Sequence, residues 1–110
     1  METITSLQWI ESNAESSEGV MSLPFGKVFC TMEALYAFAQ ALDEEPSEFL
    51  ARHASGDWGE QSESDRQANE QAVENGLRVL SAYTLRAGAR IWILSEADRS
   101  VTKILLPSEY

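Results

Sequence analysis

From Gly76 onward the chain alternates. Leu77, Val79, Ser81, Tyr83 and Leu85 interleave with Arg78, Leu80, Ala82 and Thr84, the period of two expected of a strand with one well-buried face. Ile91-Trp92-Ile93-Leu94 is apolar at every position, which predicts a central strand covered on both sides. Strands are therefore predicted over Leu77–Leu85, Arg90–Glu96 and Val101–Leu106. Arg86-Ala87-Gly88-Ala89 makes the first connecting turn, with Gly88 supplying a positive φ. Pro107 closes the last strand by removing a backbone donor, and Tyr110 is placed to fold back.

Upstream the period changes. Phe25, Lys27 and Phe29 alternate with Gly26 and Val28 behind Pro24, which suits a short strand at a sheet edge. Thr31 is a good N-cap for a helix over Met32–Leu42. Leu35, Phe38, Ala39 and Leu42 then stand at helical spacing and predict its buried stripe. Pro46 suits the first turn of a second helix, whose one face carries Phe49, Leu50 and His53. Ser62, Ser64 or Asp65 can cap a third helix ending at Asn75, with Gly76 as the left-handed residue beyond it. That helix is thinly apolar, at Ala68, Ala72 and Val73. Glu11–Gly19 holds no base and no sustained period, and reads as a flexible connector.

These elements predict an α+β fold: two or three helices packed on one face of a three- or four-stranded antiparallel sheet. Residues 1–19 form an N-terminal extension, and 20–110 a single domain, since 110 residues leave no room for a second core. No run of roughly 18 apolar residues is present to span a bilayer. No secretory signal pattern is visible. One cysteine, Cys30, cannot make an internal disulfide. The expectation is a cytoplasmic protein.

Charge sharpens the picture. Eighteen acids stand against eight lysines and arginines, a net charge of −10. The acids gather before Gly76, while the strand region carries most of the bases. Such a field repels phosphate backbones and attracts basic surfaces. It predicts an anionic helical face at Glu44, Glu45, Glu48, Glu63, Asp65, Glu70 and Glu74 that docks on a basic partner, with no direct nucleic-acid binding and no membrane contact. The opposing reading is that the charge only keeps a small domain in solution.

Two stretches carry candidate chemistry. In Arg52-His53-Ala54-Ser55-Gly56-Asp57-Trp58-Gly59, glycines flank a pair that plants the indole in the core. Asp57 then caps a backbone N–H, and His53 is a partly buried helix-end residue favoured as a cation. The alternative makes His53 a general base. In Glu96-Ala97-Asp98-Arg99-Ser100-Val101-Thr102, Asp98 and Ser100 cap a turn and Arg99 pairs with an acid of the helical half. The functional alternative takes Arg99 and Thr102 as phosphate contacts opposite His53, with Arg90 nearby. That layout resembles small ribonucleases of the barnase and toxin type. Those enzymes need cations for the charge developing on phosphorus; a body at −10 works against recruiting RNA, although a local basic face on the sheet can survive it. Gly-x-Ser-x-Gly, Gly-x-Gly-x-x-Gly and a Walker lysine are absent. With one histidine, no metal or other cofactor is expected. Cys30 reads as packed and inert.

With these residues in view, the chain resembles a family of small uncharacterised bacterial proteins carried on plasmids and other mobile elements. The matching features are Phe25-Gly26, Thr31, Arg52-His53 with Gly56-Asp57-Trp58-Gly59, Asp65 with Asn69, and Ser81-Ala82-Tyr83. They continue through Glu96-Ala97-Asp98-Arg99-Ser100 with Thr102 to Leu106-Pro107 and Glu109-Tyr110. The resemblance implies mobile-element cargo, a context that includes anti-restriction and anti-CRISPR proteins. Together with the charge it leads to the expectation of a small acidic, non-enzymatic binding protein that inhibits a nucleic-acid-handling defence system. A ribonuclease using His53, Arg99 and Thr102 is the alternative.

Overall fold

A computed structural model describes residues 2–4, 23–41 and 43–110 of the chain. Five strands, β1 (Glu2–Ile4), β2 (Lys27–Thr31), β3 (Val79–Thr84), β4 (Arg90–Ser95) and β5 (Val101–Leu105), lie in the order β1-β2-β5-β4-β3. Three helices, α1 (Met32–Ala41), α2 (Pro46–Ala54) and α3 (Glu63–Asn75), pack against this open sheet. The α+β class expected from the sequence is the one observed, with four main strands and the three-residue β1 at one edge. The Glu11–Gly19 connector, the boundary at residue 19 and Leu42 lie outside the described residues.

The sheet is mixed rather than wholly antiparallel. β2 runs parallel to β5, with Val28 beside Thr102 and Cys30 beside Ile104. All three helices and the β3–β4 hairpin intervene in sequence between these two strands, so no tight turn dictates an antiparallel pair. The arrangement also moves β2 from the expected edge to the interior, and makes β5 the middle strand.

Strand parity divides the sheet. Cys30, Ile91, Ile93 and Ile104 are fully buried on the helix-facing side. Phe29, Trp92, Leu94 and Lys103 occupy the other. Thr31 ends β2 and caps α1, its Oγ1 accepting from the Ala34 N–H at 3.0 Å. This direct strand-to-helix junction sets the phase of α1. Its buried stripe is Ala34, Ala37, Phe38 and Ala41, one position off the expected one, and Leu35 and Ala39 face outward. Three alanines let the helix approach the sheet closely, which a stripe of leucines would prevent.

α2 starts at Pro46, with the Glu45 N–H donating to Glu48 Oε1 at 3.2 Å. It buries Phe49, Leu50, His53 and Ala54. The Phe49 ring bridges Phe38 and Tyr83 at centroid distances of 5.8 and 5.2 Å. α3 begins behind Ser62, whose Oγ accepts from the Asp65 N–H, and ends at Gly76 with φ of 67°. It buries only Asn69 and Ala72, yet it closes the sheet. The Asn69 side chain donates to the Leu80 carbonyl at 2.8 Å and accepts from the Leu80 N–H at 3.2 Å. The next outward-facing backbone groups of β3 belong to Ala82, which pairs with Trp58 O and the Glu60 N–H. An edge strand that would otherwise invite another chain is thereby capped. Replacing Asn69 with alanine should lower stability by about 2 kcal/mol, read as a lower denaturant midpoint at unchanged slope.

Candidate active site

Three neighbouring strands each place one hydroxyl on the helix-facing side. Ser95 of β4 lies directly across from Thr102 of β5. Ser81 of β3 sits one pair further along, opposite Ile93. α2 lowers His53 onto this row. His53, Ser81, Ser95 and Thr102 are all 0 % exposed.

Every polar atom of the cluster has a partner. His53 Nδ1 lies 2.6 Å from Ser81 Oγ, and Nε2 lies 2.8 Å from Ser95 Oγ. Ser95 Oγ is 3.4 Å from Thr102 Oγ1, which donates to the Phe25 carbonyl at 2.7 Å. That terminal carbonyl fixes the direction of the chain. It can only accept, so Thr102 spends its proton there and must accept from Ser95. Ser95 in turn accepts from Nε2–H, which leaves Nδ1 as the acceptor for the Ser81 hydroxyl. A neutral imidazole with the proton on Nε2 satisfies all four contacts; the opposite tautomer leaves Ser95 and Thr102 without a shared proton.

The electrostatics agree with that protonation state. Burial, and then the nearby charge of Arg99, depress the His53 pKa from 6.5 to about 3. The expected cationic, partly buried helix-end histidine is corrected: both ring nitrogens are turned inward to hydroxyls, with no carboxylate partner. Arg99 is also placed differently from either expectation. It has a positive φ of 62°, and its guanidinium donates to three carbonyls, Leu77 O at 2.6 Å, Ala72 O at 3.0 Å and Glu96 O at 3.0 Å. It ties the end of α3 to the β4–β5 turn rather than pairing with an acid. The turn is capped as expected, Asp98 Oδ1 accepting from the Ser100 N–H and hydroxyl.

The stretch from Ser55 to Gln61 roofs the relay. Trp58 is 2 % exposed, with its ring edge-on to the imidazole at 5.9 Å. Asp57 Oδ1 accepts from the Gly59 N–H at 3.2 Å, as expected for a tight turn. Arg52 donates to Asp57 Oδ2 at 2.7 Å, and that bond holds the Asp57 carboxyl below the usual carboxylate range. The Arg52 guanidinium lies 4.6 Å from the Tyr83 ring centroid, and Tyr83 donates its hydroxyl to Asp57 O at 2.6 Å. Cys30 is wholly buried, and desolvation raises its thiol to about 12, so its thiolate is not available at neutral pH.

The residues named from sequence thus divide. His53 and Thr102 are brought together through Ser95, Arg99 lies within electrostatic reach, and Arg90 is an exposed residue at the far end of β4. The carboxylate set is on the surface, and two of its members serve the fold. Glu44 accepts from the Arg86 N–H at 2.8 Å, and Glu48 closes the start of α2. Asp43 pairs with Arg86. The expectation of a non-enzymatic acidic inhibitor of anti-restriction or anti-CRISPR type is overturned by the buried imidazole–hydroxyl network, which clusters the residue types that acid–base catalysis uses. Sequence reading missed Ser81 and Ser95. The signal was their parity: each is a polar residue at a core-facing position of an otherwise apolar strand.

Among the described residues no helix is long and apolar enough to cross a membrane, and no group of three or more His, Cys, Asp or Glu is arranged around a common point for a metal. Fold and site together define an α+β protein built around an enclosed imidazole–hydroxyl relay. No protein-family model, curated protein or solved structure matches the chain.

Proposed function

We propose that this protein is a small acid–base catalyst that cleaves RNA, with His53 as its base. The observation that carries the reading is the His53–Ser81 contact of 2.6 Å on the unprotonated ring nitrogen. RNA brings its own nucleophile, so the protein must supply only a base, an acid and positive charge. The 2′-hydroxyl attacks phosphorus while its proton passes to Ser81 Oγ, and the Ser81 proton passes to Nδ1. The P–O2′ bond forms and the P–O5′ bond breaks. The same proton then returns through Ser81 to the departing O5′, leaving a 2′,3′-cyclic phosphate. Ser95 and Thr102 hold the ring, and the Arg99 charge favours the anionic transition state.

The relay is enclosed, so the roof from Ser55 to Gln61 has to lift for substrate to enter. Hydration then returns the imidazole toward its ordinary basicity. The closed form predominates in the free enzyme and keeps His53 neutral down to a pKa of about 3. kcat/KM for RNA should therefore stay level between pH 7 and 5, where an ordinary histidine base loses activity as pH falls through 6.5. A tenfold fall across that interval would contradict the enclosed base.

A second reading rests on the Ser81 proton being donated to Nδ1: Ser81 itself attacks an ester carbonyl. A fluorophosphonate probe separates the two. Labelling of Ser81, abolished by Ser81→Ala, supports ester hydrolysis; RNA cleavage without labelling supports the first reading. The resemblance to plasmid-borne proteins suits a toxin-like nuclease, and a single buried cysteine suits a cytosolic one.

A further inference from the structure

The sheet has a second face, on which cations and carboxylates nearly balance. Lys27, Arg78, Arg90 and Lys103 all point away from the helices by strand parity, Arg78 continuing the outward series of Leu80 and Ala82. Arg78 and Lys103 line a cleft with the carboxylates Glu96 and Glu109, and Glu60 stands at the rim on Thr84, in a chain of net charge −10. Half of the eight lysines and arginines thus lie on one surface. The same surface carries rings. Tyr110 is 64 % exposed and stands edge-on to Trp92 at 5.4 Å, with Phe29 half-buried alongside.

Between the rings and the cations is a cleft of about 250 Å³, lined among others by Phe29, Arg78, Glu96, Lys103 and Tyr110. Glu96 is shared by two cations at long range, 3.4 Å to Arg78 Nε and 3.7 Å to Lys103 Nζ. The second carboxylate of the cleft, Glu109, accepts from the Thr31 hydroxyl at 2.7 Å. Arg78 also donates to the Tyr110 hydroxyl at 3.2 Å, so cation and ring are held side by side. The spacing suits a phosphate on the cations with its base on the ring, a mode that every base can use.

We propose that this open sheet face binds single-stranded RNA, with bases stacking on Tyr110 and Trp92 and phosphates on Arg78 and Lys103. The proposal rests on the RNA-cleaving reading and reverses the expectation, drawn from net charge, of no direct nucleic-acid contact. The two surfaces are joined through β4. Ser95 faces the relay, while its neighbours Leu94 and Glu96 line the cleft. A strand leaving the cleft around the β4–β5 turn passes Arg99 and reaches the relay side of the sheet.

The test uses the full chain and a fluorescein-labelled 12-nucleotide 2′-O-methyl-uridine strand, which cannot be cleaved because its 2′-oxygen is blocked. Anisotropy should report binding whose log affinity falls with log salt at a slope of about −1.4, as two phosphate contacts on a single strand require. Tyr110→Ala and the pair Arg78→Ala with Lys103→Ala should each weaken it about tenfold, while Arg86→Ala on the helix side leaves it unchanged. All these positions are exposed or half-exposed, and a circular-dichroism melt checks that each variant folds. Absence of binding at low salt, or equal binding by all variants, overturns the proposal. Binding through this face without any cleavage of natural RNA would uphold it and remove the catalytic reading. Cleavage that is indifferent to Tyr110, Arg78 and Lys103 would do the reverse.

Discussion

His53→Leu should lower stability by about 3 kcal/mol at pH 7, because it strands two buried hydroxyls at once. Ser81 loses its acceptor and Ser95 its donor, and each unsatisfied buried group costs about 1–3 kcal/mol. The same substitution should flatten the acid limb of stability. The folded chain keeps His53 neutral down to a pKa of about 3, whereas the unfolded chain protonates it near 6.5. Between those values the unfolded state binds more protons, so stability is lost as pH falls and regained as it rises. From pH 6.5 to 4 the loss from this one group is about 3 kcal/mol, at 1.36 kcal/mol per pH unit. Wild type and His53→Leu should therefore differ widely at pH 7 and converge near pH 4 in urea titrations. Curves that stay parallel would mean that His53 titrates normally in the folded protein.

Gly59→Ala should detach the stretch that covers the relay. Gly59 has φ of 76°, and a Cβ there would overlap the Ala82 carbonyl oxygen and crowd the Tyr83 ring. The residue lies where the roof pairs with β3, in a bridge to Ala82. Relief requires the roof to detach, giving up the Glu60 N–H to Ala82 O and Ala82 N–H to Trp58 O bonds. The expected cost is about 3 kcal/mol, with faster amide exchange at Ala82 and a red-shifted Trp58 emission. Gly88→Ala is the control. Its φ of 104° is also positive, but a Cβ there meets nothing within 4 Å, so only backbone strain of about 1 kcal/mol applies.

Much of this fold was legible because local rules and tertiary demands agree. The β3 and β4 alternation, Pro46 at the start of α2, Ser62 and Gly76 at the ends of α3, and the Asp57-Trp58 turn all read directly from residue type. Where the two levels part, the sequence misleads. Side-chain size points to a stripe through Leu35, whereas the strand-to-helix junction at Thr31 selects the alanine face. The parallel β2–β5 pair brings together Phe25 and Thr102, 77 positions apart, and no local pattern encodes that. The candidate site was half visible. His53 and Thr102 stand out as chemistry-bearing residues, but Ser81 and Ser95 read as ordinary strand positions. Arg99 was read for its charge, although its left-handed backbone and three carbonyl partners make it a tie between α3 and the β4–β5 turn. The acidic surface is legible from composition alone, while the cations gathered on the outer face emerge only once strand parity is fixed in three dimensions.

Cleavage of a DNA strand carrying one central ribonucleotide tests the reading most directly, because a single P–O5′ bond is at risk. Wild type should cut at that linkage and leave a 2′,3′-cyclic phosphate. His53→Gln, chosen to keep a polar side chain between Ser81 and Ser95, should cut at least a hundredfold more slowly while remaining folded by circular dichroism. Equal rates for the two proteins, or no cutting by wild type at any pH from 5 to 8, would mean that the buried imidazole only fastens α2 to the sheet.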